Sequence, residues 1–281
     1  MLQELLELAR SVGWGASEIL QSYYHGDRDL QIRKADSDPV TAADLAVNHY
    51  ILERLQAELD PSTFGYLSEE TFKPGPPFPQ PYVWIIDPLD GTRDFIERTG
   101  EFAIHIALVQ AGRPVLAIVA CPEVGKLYYA TKGEGTYVEN RAGEVTQLRL
   151  AQAQQISEMR LVVSRSHRDQ RFDQVISRLP QQEKKYVGSV GGKIATIVEQ
   201  QAEIYLSLTT KSAPKDWDLA APELILTEAG GQFTHFDLTP IEYNRGDVAQ
   251  WGGFLASTGQ HHAELCQFIA QTLEELDSQA E

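Results

Sequence analysis

The sequence is short of cysteine and contains no long apolar run. Its two cysteines, Cys121 and Cys266, lie in separate apolar stretches without CxxC spacing, so neither a disulfide framework nor a zinc ribbon is indicated. Buried thiols in a reducing compartment are the simpler interpretation. No apolar stretch approaches the roughly 18 residues of a membrane helix. Residues 1–12 carry two glutamates and an arginine where a signal peptide requires apolar residues. We therefore expect a cytoplasmic protein without membrane association.

Basic residues are also scarce. The chain of 281 residues has 24 Lys and Arg against 40 Asp and Glu, a formal net charge of −16 at pH 7. Binding to nucleic-acid polymers or anionic membranes requires clustered Lys and Arg, so we expect neither partner. A small anion can still bind where cations screen the site. The hydrophobic content of 42% is sufficient for one large core or two fused ones, and length does not decide between them.

The predicted elements change in kind near residue 150. Two amphipathic helices, one from Leu2 and one beginning near Thr41, precede a proline-rich loop at residues 74–81 and a mainly antiparallel sheet. After residue 150, strands and helices alternate, as in α/β domains. We predict an N-terminal α+β domain of residues 1–150 and a C-terminal α/β domain of residues 151–281.

The boundaries follow from the apolar pattern. Strands are predicted at residues 82–86, 102–109, 115–120, 126–130, 161–164, 203–208, 232–236 and 254–257, and the later helices at 170–179, from 193, and 217–229. His261 and His262 begin a last helix, and we expect both at the surface because no partner is spaced for them.

The segment Asp87-Pro88-Leu89-Asp90-Gly91-Thr92 ends an apolar strand. Two carboxylates crowded there are tolerable only if a cation lies between them or one is protonated. Carboxylate and carbonyl oxygens suit hard cations such as magnesium, and N–H groups at a helix start, here Gly91 and Thr92, can hold a phosphate oxygen. The segment indicates a cation site joined to an anion site. The alternative is an ordinary turn in which Asp87 caps a helix and Asp90 faces solvent.

Three further acidic sites favour the cation site. Glu69 and Glu70 follow a short apolar run, so that one can point inward while the other, Glu70, is solvated. Asp44 stands three residues after Thr41 in a capping-box pattern, which alone would account for it. Asp218 lies in the first turn of a helix, where it would favour the helix dipole without any catalytic role. The small residues that follow Asp218 nevertheless indicate a close approach by another backbone or a ligand.

Four segments together resemble the signature of the inositol monophosphatase superfamily. They occur in the expected order over nearly the whole chain: Asp44 in its V-T-x-A-D setting, Ser68-Glu69-Glu70, Asp87-Pro88-Leu89-Asp90-Gly91-Thr92, and Trp217-Asp218-Leu219-Ala220-Ala221 followed by Glu228-Ala229-Gly230-Gly231. The resemblance implies a layered αβαβα sandwich. It also implies a lithium-sensitive, magnesium-dependent phosphomonoesterase with two or three Mg²⁺ per site, monomeric or dimeric.

The resemblance further implies a set of metal ligands. The first metal would be held by Glu69, Asp87 and the Leu89 carbonyl, the second by Asp87, Asp90 and Asp218, and a further, weaker one would lie near Asp44.

The remaining roles concern the phosphate and the water. Gly91 and Thr92 would bind the phosphate, and we expect Glu69 and the Thr92 hydroxyl to orient the attacking water. The metal held partly by Asp218 would stabilise the leaving oxygen, and Asp90 is expected to be essential for turnover. No covalent phosphoenzyme is required.

Three more segments resemble one branch of the superfamily, the CysQ-type 3′(2′),5′-bisphosphate nucleotidases, which remove the 3′-phosphate of adenosine 3′,5′-bisphosphate. They are Ser164-Arg165-Ser166-His167, Gly188-Ser189-Val190-Gly191-Gly192-Lys193 and Tyr243-Asn244. The candidate substrate contacts are then Ser166, His167, Ser189, Lys193 and Asp218, with Lys193 able to meet a second phosphate. A solvated loop is the other interpretation of Arg165, His167 and Lys193.

The chain departs from that branch in two places. The branch usually has Gly-Ser-Ser-Leu-Lys where this chain has Val190-Gly191-Gly192-Lys193 after Ser189, and residues 208–215 form a longer stretch than expected. Inositol monophosphatase or fructose-1,6-bisphosphatase activity therefore remains an alternative. An alternative of another class is a catalytically silent regulator that binds metal or nucleotide.

Overall fold

The helices and strands come from a computed structural model, which describes residues 1–26, 29–34, 39–151, 155–165, 170–180, 183–209 and 212–279. The helices are α1 (Leu2–Tyr24), α2 (Ala42–Glu58), α3 (Thr92–Ile96), α4 (Gln170–Arg178), α5 (Val190–Val198), α6 (Asp216–Glu228) and α7 (His262–Ser278), with short 3₁₀ turns at Glu69–Thr71 and Ile156–Glu158. The strands are β1 (Arg33–Lys34), β2 (Pro39–Val40), β3 (Phe64–Ser68), β4 (Tyr82–Asp90), β5 (Ala103–Gln110), β6 (Arg113–Cys121), β7 (Lys126–Thr131), β8 (Gly135–Asn140), β9 (Val145–Leu148), β10 (Leu161–Ser164), β11 (Lys184–Val187), β12 (Ile204–Ser207), β13 (Gln232–Thr234) and β14 (Phe254–Ser257).

A seven-stranded sheet runs in the order β3-β4-β5-β6-β7-β8-β9. Only β3 and β4 are parallel within it, and the other neighbours are antiparallel. The sequence of β4 is almost continuously apolar because both of its faces are buried. Val83 and Ile85 pack into one core cluster, whereas Trp84 and Ile86 pack into another on the opposite face. Successive side chains of a strand point to opposite faces, and both faces of this sheet are covered.

Helical layers alternate with the two sheets. Helices α1 and α2 cover one face of the large sheet, and α5 and α6 lie between its other face and a five-stranded sheet of order β11-β10-β12-β14-β13. Helices α4 and α7 cover the outer face of that second sheet. The layers are therefore α, β, α, β and α, which confirms the expected sandwich.

Most predicted elements are present, with shifted ends. The first two helices are confirmed, Thr41 caps α2, and α5 begins at Val190 instead of Lys193. Strands β1, β2, β3, β8, β9 and β11 were not predicted. Both cysteines are free and buried, as expected. None of the helices in the described ranges is long and apolar enough to cross a bilayer, and the division at residue 150 remains a prediction.

The expectation for His262 was wrong. This side chain is only 1% exposed, and its ring lies between the hydroxyls of Ser257 and Thr234, with Nδ1 and Nε2 each 2.8 Å from one of them. The polar partners come from strands β14 and β13, so the local sequence around the histidine does not show them.

Candidate active site

Three elements bring four acidic side chains together at one edge of the large sheet. Because β3 and β4 are parallel and Ser68 pairs with Ile86, Glu69 follows β3 beside the point where Asp87 follows Ile86. The register of β4 shifts between Asp87 and Asp90, as it does at a bulge, which re-aims side chains. Helix α6 packs on β4 and β5 and carries Asp218 in its first turn. Glu69, Asp87, Asp90 and Asp218 are called the carboxylate cluster below.

Burial and mutual repulsion raise the pKa of three members of the cluster. Burial, followed by the charges of Asp218 and Glu70, raises the pKa of Glu69 to about 9. Burial, followed by the neighbouring carboxylates, raises the pKa of Asp87, and burial with Asp90 raises the pKa of Asp218 to about 7. The nearby Asp87 carboxyl lowers the pKa of Glu69, but burial and the charges of Asp218 and Glu70 outweigh it. The cluster is thus short of positive charge.

Asp90 is the exception. Burial alone would raise its pKa, but His105, Lys193 and the Gly191 N–H together lower it. The Gly191 N–H donates to Asp90 Oδ2 at 3.0 Å, and His105 Nε2 lies 3.2 Å from the same oxygen. Asp90 is therefore held as an anion by groups from β5 and from α5, a helix of the middle layer.

Asp44 caps α2, as its capping-box pattern predicts, and also contacts Thr92 at the site. Its Oδ2 accepts from the Thr41 N–H at 2.8 Å and the Thr41 hydroxyl at 2.5 Å, which caps α2. Its Oδ1 faces the site, 3.3 Å from Thr92 Oγ1, which also lies 3.1 Å from the Leu89 carbonyl oxygen. Burial raises the pKa of Asp44. The hydroxyl of Thr92 thus joins Asp44 to the end of β4.

Gly91 is required by geometry. Its φ is +90°, and a Cβ there would lie 3.0 Å from the Glu101 carbonyl oxygen, so a larger residue would be strained and crowded. Helix α3, which begins at Thr92, has only five residues, and its first N–H groups have no acceptor within the helix.

Ser189 and Lys193, two of the predicted substrate contacts, stabilise the loop before α5. Ser189 is fully buried, and its Oγ accepts from the Gly192 N–H at 2.9 Å, capping α5. Lys193 is 2% exposed, and its ammonium donates to the carbonyls of Gly188 and Ser189 at 2.7 and 3.1 Å. Burial lowers the pKa of Lys193 to about 8. These partners are within the protein, so direct substrate contacts by Ser189 and Lys193 remain predictions.

Two other predicted contacts, Ser166 and His167, lie outside the described residues. Their neighbour Arg165 pairs with Glu101 at 2.7 Å. Asn244 exchanges two hydrogen bonds with the backbone of Phe78, at 2.9 and 3.0 Å, and so fastens the proline-rich loop. Asn244 therefore holds the loop in place.

Sequence reasoning missed His105 and misjudged Glu70. His105 is fully buried beside Asp90; the signal was a single polar residue within an apolar strand, in step with Ala103 and Ala107, which face the middle layer. Glu70 is half-buried, not solvated, and burial with the charge of Asp44 raises its pKa to about 7.

The donor set fits a hard divalent cation. As they stand, no three His, Cys, Asp or Glu side chains within the described ranges form a group that could hold a metal ion. Buried carboxylates whose charges repel one another, beside a backbone carbonyl, are nevertheless the oxygen donors that Mg²⁺ takes. A cation among them would remove the repulsion that raises the pKa values of Glu69, Asp87 and Asp218.

Solved structures share the fold. Thermotoga maritima IMPase superposes with a TM-score of 0.78 at 23% identity, over 97% of this chain and 99% of that one. CysQ from Bacteroides thetaiotaomicron, described as a bacterial member of the inositol monophosphatase family, superposes with a TM-score of 0.74 at 27% identity, over 92% and 98%.

Sequence relatives are closer. The 3′(2′),5′-bisphosphate nucleotidase CysQ of Salmonella typhimurium is 34% identical over 86% of this chain and 94% of its own length. The protein of the same name from Escherichia coli K12 is 32% identical over 92% of this chain and 99% of its own. Residues 1–275 match the profile of the inositol monophosphatase family. The chain therefore belongs to the inositol monophosphatase family.

Proposed function

We propose that this protein is a Mg²⁺-dependent phosphatase that hydrolyses the 3′-phosphate of adenosine 3′,5′-bisphosphate. The observation that carries the proposal is the convergence of Glu69, Asp87, Asp90 and Asp218 from three elements into one partly buried cluster. The substrate follows from the relatives that cover nearly the whole chain and are named as 3′(2′),5′-bisphosphate nucleotidases.

The cluster would hold two Mg²⁺, with a third, weaker site near Asp44. Glu69, Asp87 and the Leu89 carbonyl are the proposed ligands of the first ion, and Asp87, Asp90 and Asp218 those of the second. When bound, such ions neutralise the phosphate and lower the pKa of water. Among the four carboxyls, Asp90 is the one whose pKa is lowered, by His105, Lys193 and the Gly191 N–H.

Thr92 is suited to orient the attacking water. Its hydroxyl hydrogen has two acceptors, the Leu89 carbonyl and Asp44 Oδ1, so the lone pairs of Oγ1 remain to accept a hydrogen bond from water. Glu69, across the same edge, would accept the other hydrogen. The water oxygen then bonds to phosphorus as the P–O ester bond breaks, and the departing 3′-oxygen takes a proton from solvent in place of the one that the attacking water gives up.

The substrate would be held from both halves of the chain. Gly91 and Thr92 offer the free N–H groups at the start of α3 to the phosphate, and Asp218 lies on the opposite side of the cluster on α6. The proposed set of substrate contacts is completed by Ser166, His167, Ser189 and Lys193. Lys193 would act in part by holding the backbone carbonyls of Gly188 and Ser189, to which its ammonium donates.

The test is phosphate release from adenosine 3′,5′-bisphosphate, inositol 1-phosphate and fructose 1,6-bisphosphate, each with and without Mg²⁺ and with added Li⁺. We expect Mg²⁺-dependent turnover, inhibited by Li⁺, with the bisphosphate nucleotide preferred. Preference for either other ester would overturn the substrate assignment. Mg²⁺-dependent nucleotide binding without turnover would instead identify a silent regulator.

Location and assembly belong to the same proposal. The two free, buried cysteines suit the cytoplasm, whose thiols are kept reduced. The protein would act as a monomer or a homodimer.

A further inference from the structure

One buried group at the site has no role in the proposed chemistry. His105 is the only polar residue between Ala103 and Ala107 on β5, and its ring is fully buried. Its Nδ1 lies 3.2 Å from the Trp217 carbonyl oxygen. A carbonyl oxygen only accepts, so Nδ1 carries a hydrogen. The opposite nitrogen, Nε2, lies 3.2 Å from Asp90 Oδ2, in ion-pair range but not aligned as a hydrogen bond.

The ring joins two members of the carboxylate cluster. Asp90 ends β4, whereas Trp217 immediately precedes Asp218 in the first turn of α6. One imidazole thus touches one carboxylate directly and the backbone beside the other. The ring therefore lies between the end of β4 and the start of α6.

The ring is also confined from the side of α5. A Cβ on Gly191 would lie 2.4 Å from His105 Nε2, 2.8 Å from Val119 Cγ1 and 2.9 Å from Ala103 Cβ. Only glycine therefore allows α5 to approach so closely, and this approach brings the Gly191 N–H to Asp90 Oδ2. The glycine at 191, where this chain departs from the pattern of its branch, has a physical reason in the histidine at 105.

We propose that His105 is a positioning residue that holds Asp90 and Asp218 at the spacing of a cation site. The Gly191 N–H donates to Asp90 Oδ2, beside which the ring lies, and Oδ1 is left for the cation. The inference rests on the proposed function, because it takes Asp90 and Asp218 as ligands of one Mg²⁺. Outer partners of this kind are typically worth 10- to 100-fold in metal affinity or activity.

The test is Mg²⁺ binding to the full, substrate-free chain, measured by titration calorimetry. His105→Leu removes the contact with Asp90, whereas His105→Gln places an amide near the position of Nε2. We expect the Leu variant to bind one Mg²⁺ about tenfold more weakly than wild type, and the Gln variant to remain within about threefold. If the Leu variant does not fold, His105→Ala removes the same contact without apolar bulk.

A control separates positioning from loss of stability. Thr136 is fully buried on β8, and its hydroxyl donates to the Ile225 carbonyl of α6 at 2.7 Å. Thr136→Val removes a buried hydrogen bond to the same helix without touching the cluster, so it should lower the melting temperature and leave Mg²⁺ affinity unchanged.

Three outcomes would overturn the inference. Wild-type Mg²⁺ affinity in the Leu or Ala variant would do so while leaving the proposed function intact, as would equal losses in the Leu and Gln variants. Wild-type protein that releases phosphate without binding Mg²⁺ would overturn both proposals.

Discussion

Two clusters of polar side chains in this molecule differ in whether the protein itself supplies every hydrogen-bond and charge partner. Beneath α7, the Thr234 hydroxyl donates to the His235 carbonyl at 2.7 Å, so Thr234 Oγ1 accepts from His262 Nε2, and Ser257 donates to Nδ1. Each hydrogen has an acceptor, and burial lowers the pKa of His262 to about 4. This histidine cluster is neutral and complete without any ligand.

The carboxylate cluster is incomplete, and of its members only Asp87 is fully buried while Glu69, Asp90 and Asp218 are partly exposed. Three of its four members have raised pKa values because burial and like charges oppose their ionisation, and only at Asp90 do the neighbouring groups outweigh burial and lower the pKa. A satisfied polar network specifies a core, whereas a buried network lacking counter-charge costs stability. The comparison shows that burial of polar side chains alone does not identify a functional site. A cluster of acidic side chains without enough positive charge beside it does, because it requires a cation.

The largest expected effect that tests this contrast is on catalysis. Glu69→Gln and Asp90→Asn each remove a proposed ligand, so each should lower Mg²⁺-dependent phosphate release to below about 1% of wild type, more than an outer partner costs. Ser257→Ala, in the histidine cluster, should leave kcat and KM unchanged. Turnover near the wild-type rate in Asp90→Asn would refute the ligand assignment.

A smaller effect should appear in stability without metal. The folded-state pKa of Glu69 is raised from 4.5 to about 9, so its contribution is fully present below pH 4.5 and is lost as pH rises toward 9. In EDTA, Glu69→Gln should therefore gain on wild type by more than about 1 kcal/mol of unfolding free energy between about pH 5 and pH 8.5. Urea unfolding measures this.

Magnesium should reverse that gain. At about 100 times Kd, ligand binding adds about 2.7 kcal/mol to the stability of wild type, whereas the variant lacks a ligand. Glu264→Gln, an exposed change of the same type on α7, is the control and should show neither effect. A pH-independent difference between Glu69→Gln and wild type in EDTA would contradict the repulsion inferred for the cluster.

The smallest effect has the opposite sign and comes from the histidine cluster. The folded-state pKa of His262 is lowered from 6.5 to about 4, so its contribution is present above pH 6.5 and is lost as pH falls toward 4. Between about pH 7 and pH 5, unfolding free energy should fall by about 1 kcal/mol less in His262→Gln than in wild type. Identical pH profiles for His262→Gln and wild type would exclude this role for His262.

Local pattern was sufficient for the elements that bury apolar residues regularly. Strand β4 and helix α2 were predicted because apolar residues and the Thr41 cap are visible in the sequence. Strand β11 was missed because only Val187 of its four residues is buried; it is held by parallel pairing with β10, which no local pattern shows.

The site residues also divide into those that local sequence predicts and those that depend on the packing of distant elements. Asp87 and Asp90 were predictable because one short segment carries both, but the approach of Asp218 depends on how α6 packs on β4 and β5, and the resemblance to a family supplied that expectation. His105 and Gly191 are meaningful only as a pair in space, since neither residue marks a motif alone. The burial of Lys193 could not be read from a glycine-rich loop that is typical of solvent-exposed segments.

The close fit at Gly191 has a consequence for recombination among relatives. Asp90 and His105 precede residue 150 and Gly191 follows it, yet the three atoms that meet there leave no space for a β-carbon. A crossover between positions 105 and 191 takes these two residues from different parents. If the parent that supplies position 191 has a larger residue there, its side chain would clash with His105. If the parent that supplies position 105 has a smaller residue there, Gly191 would face an unfilled space. Such chimeras should lose metal affinity even where both parents are active, so these two positions are expected to be inherited together.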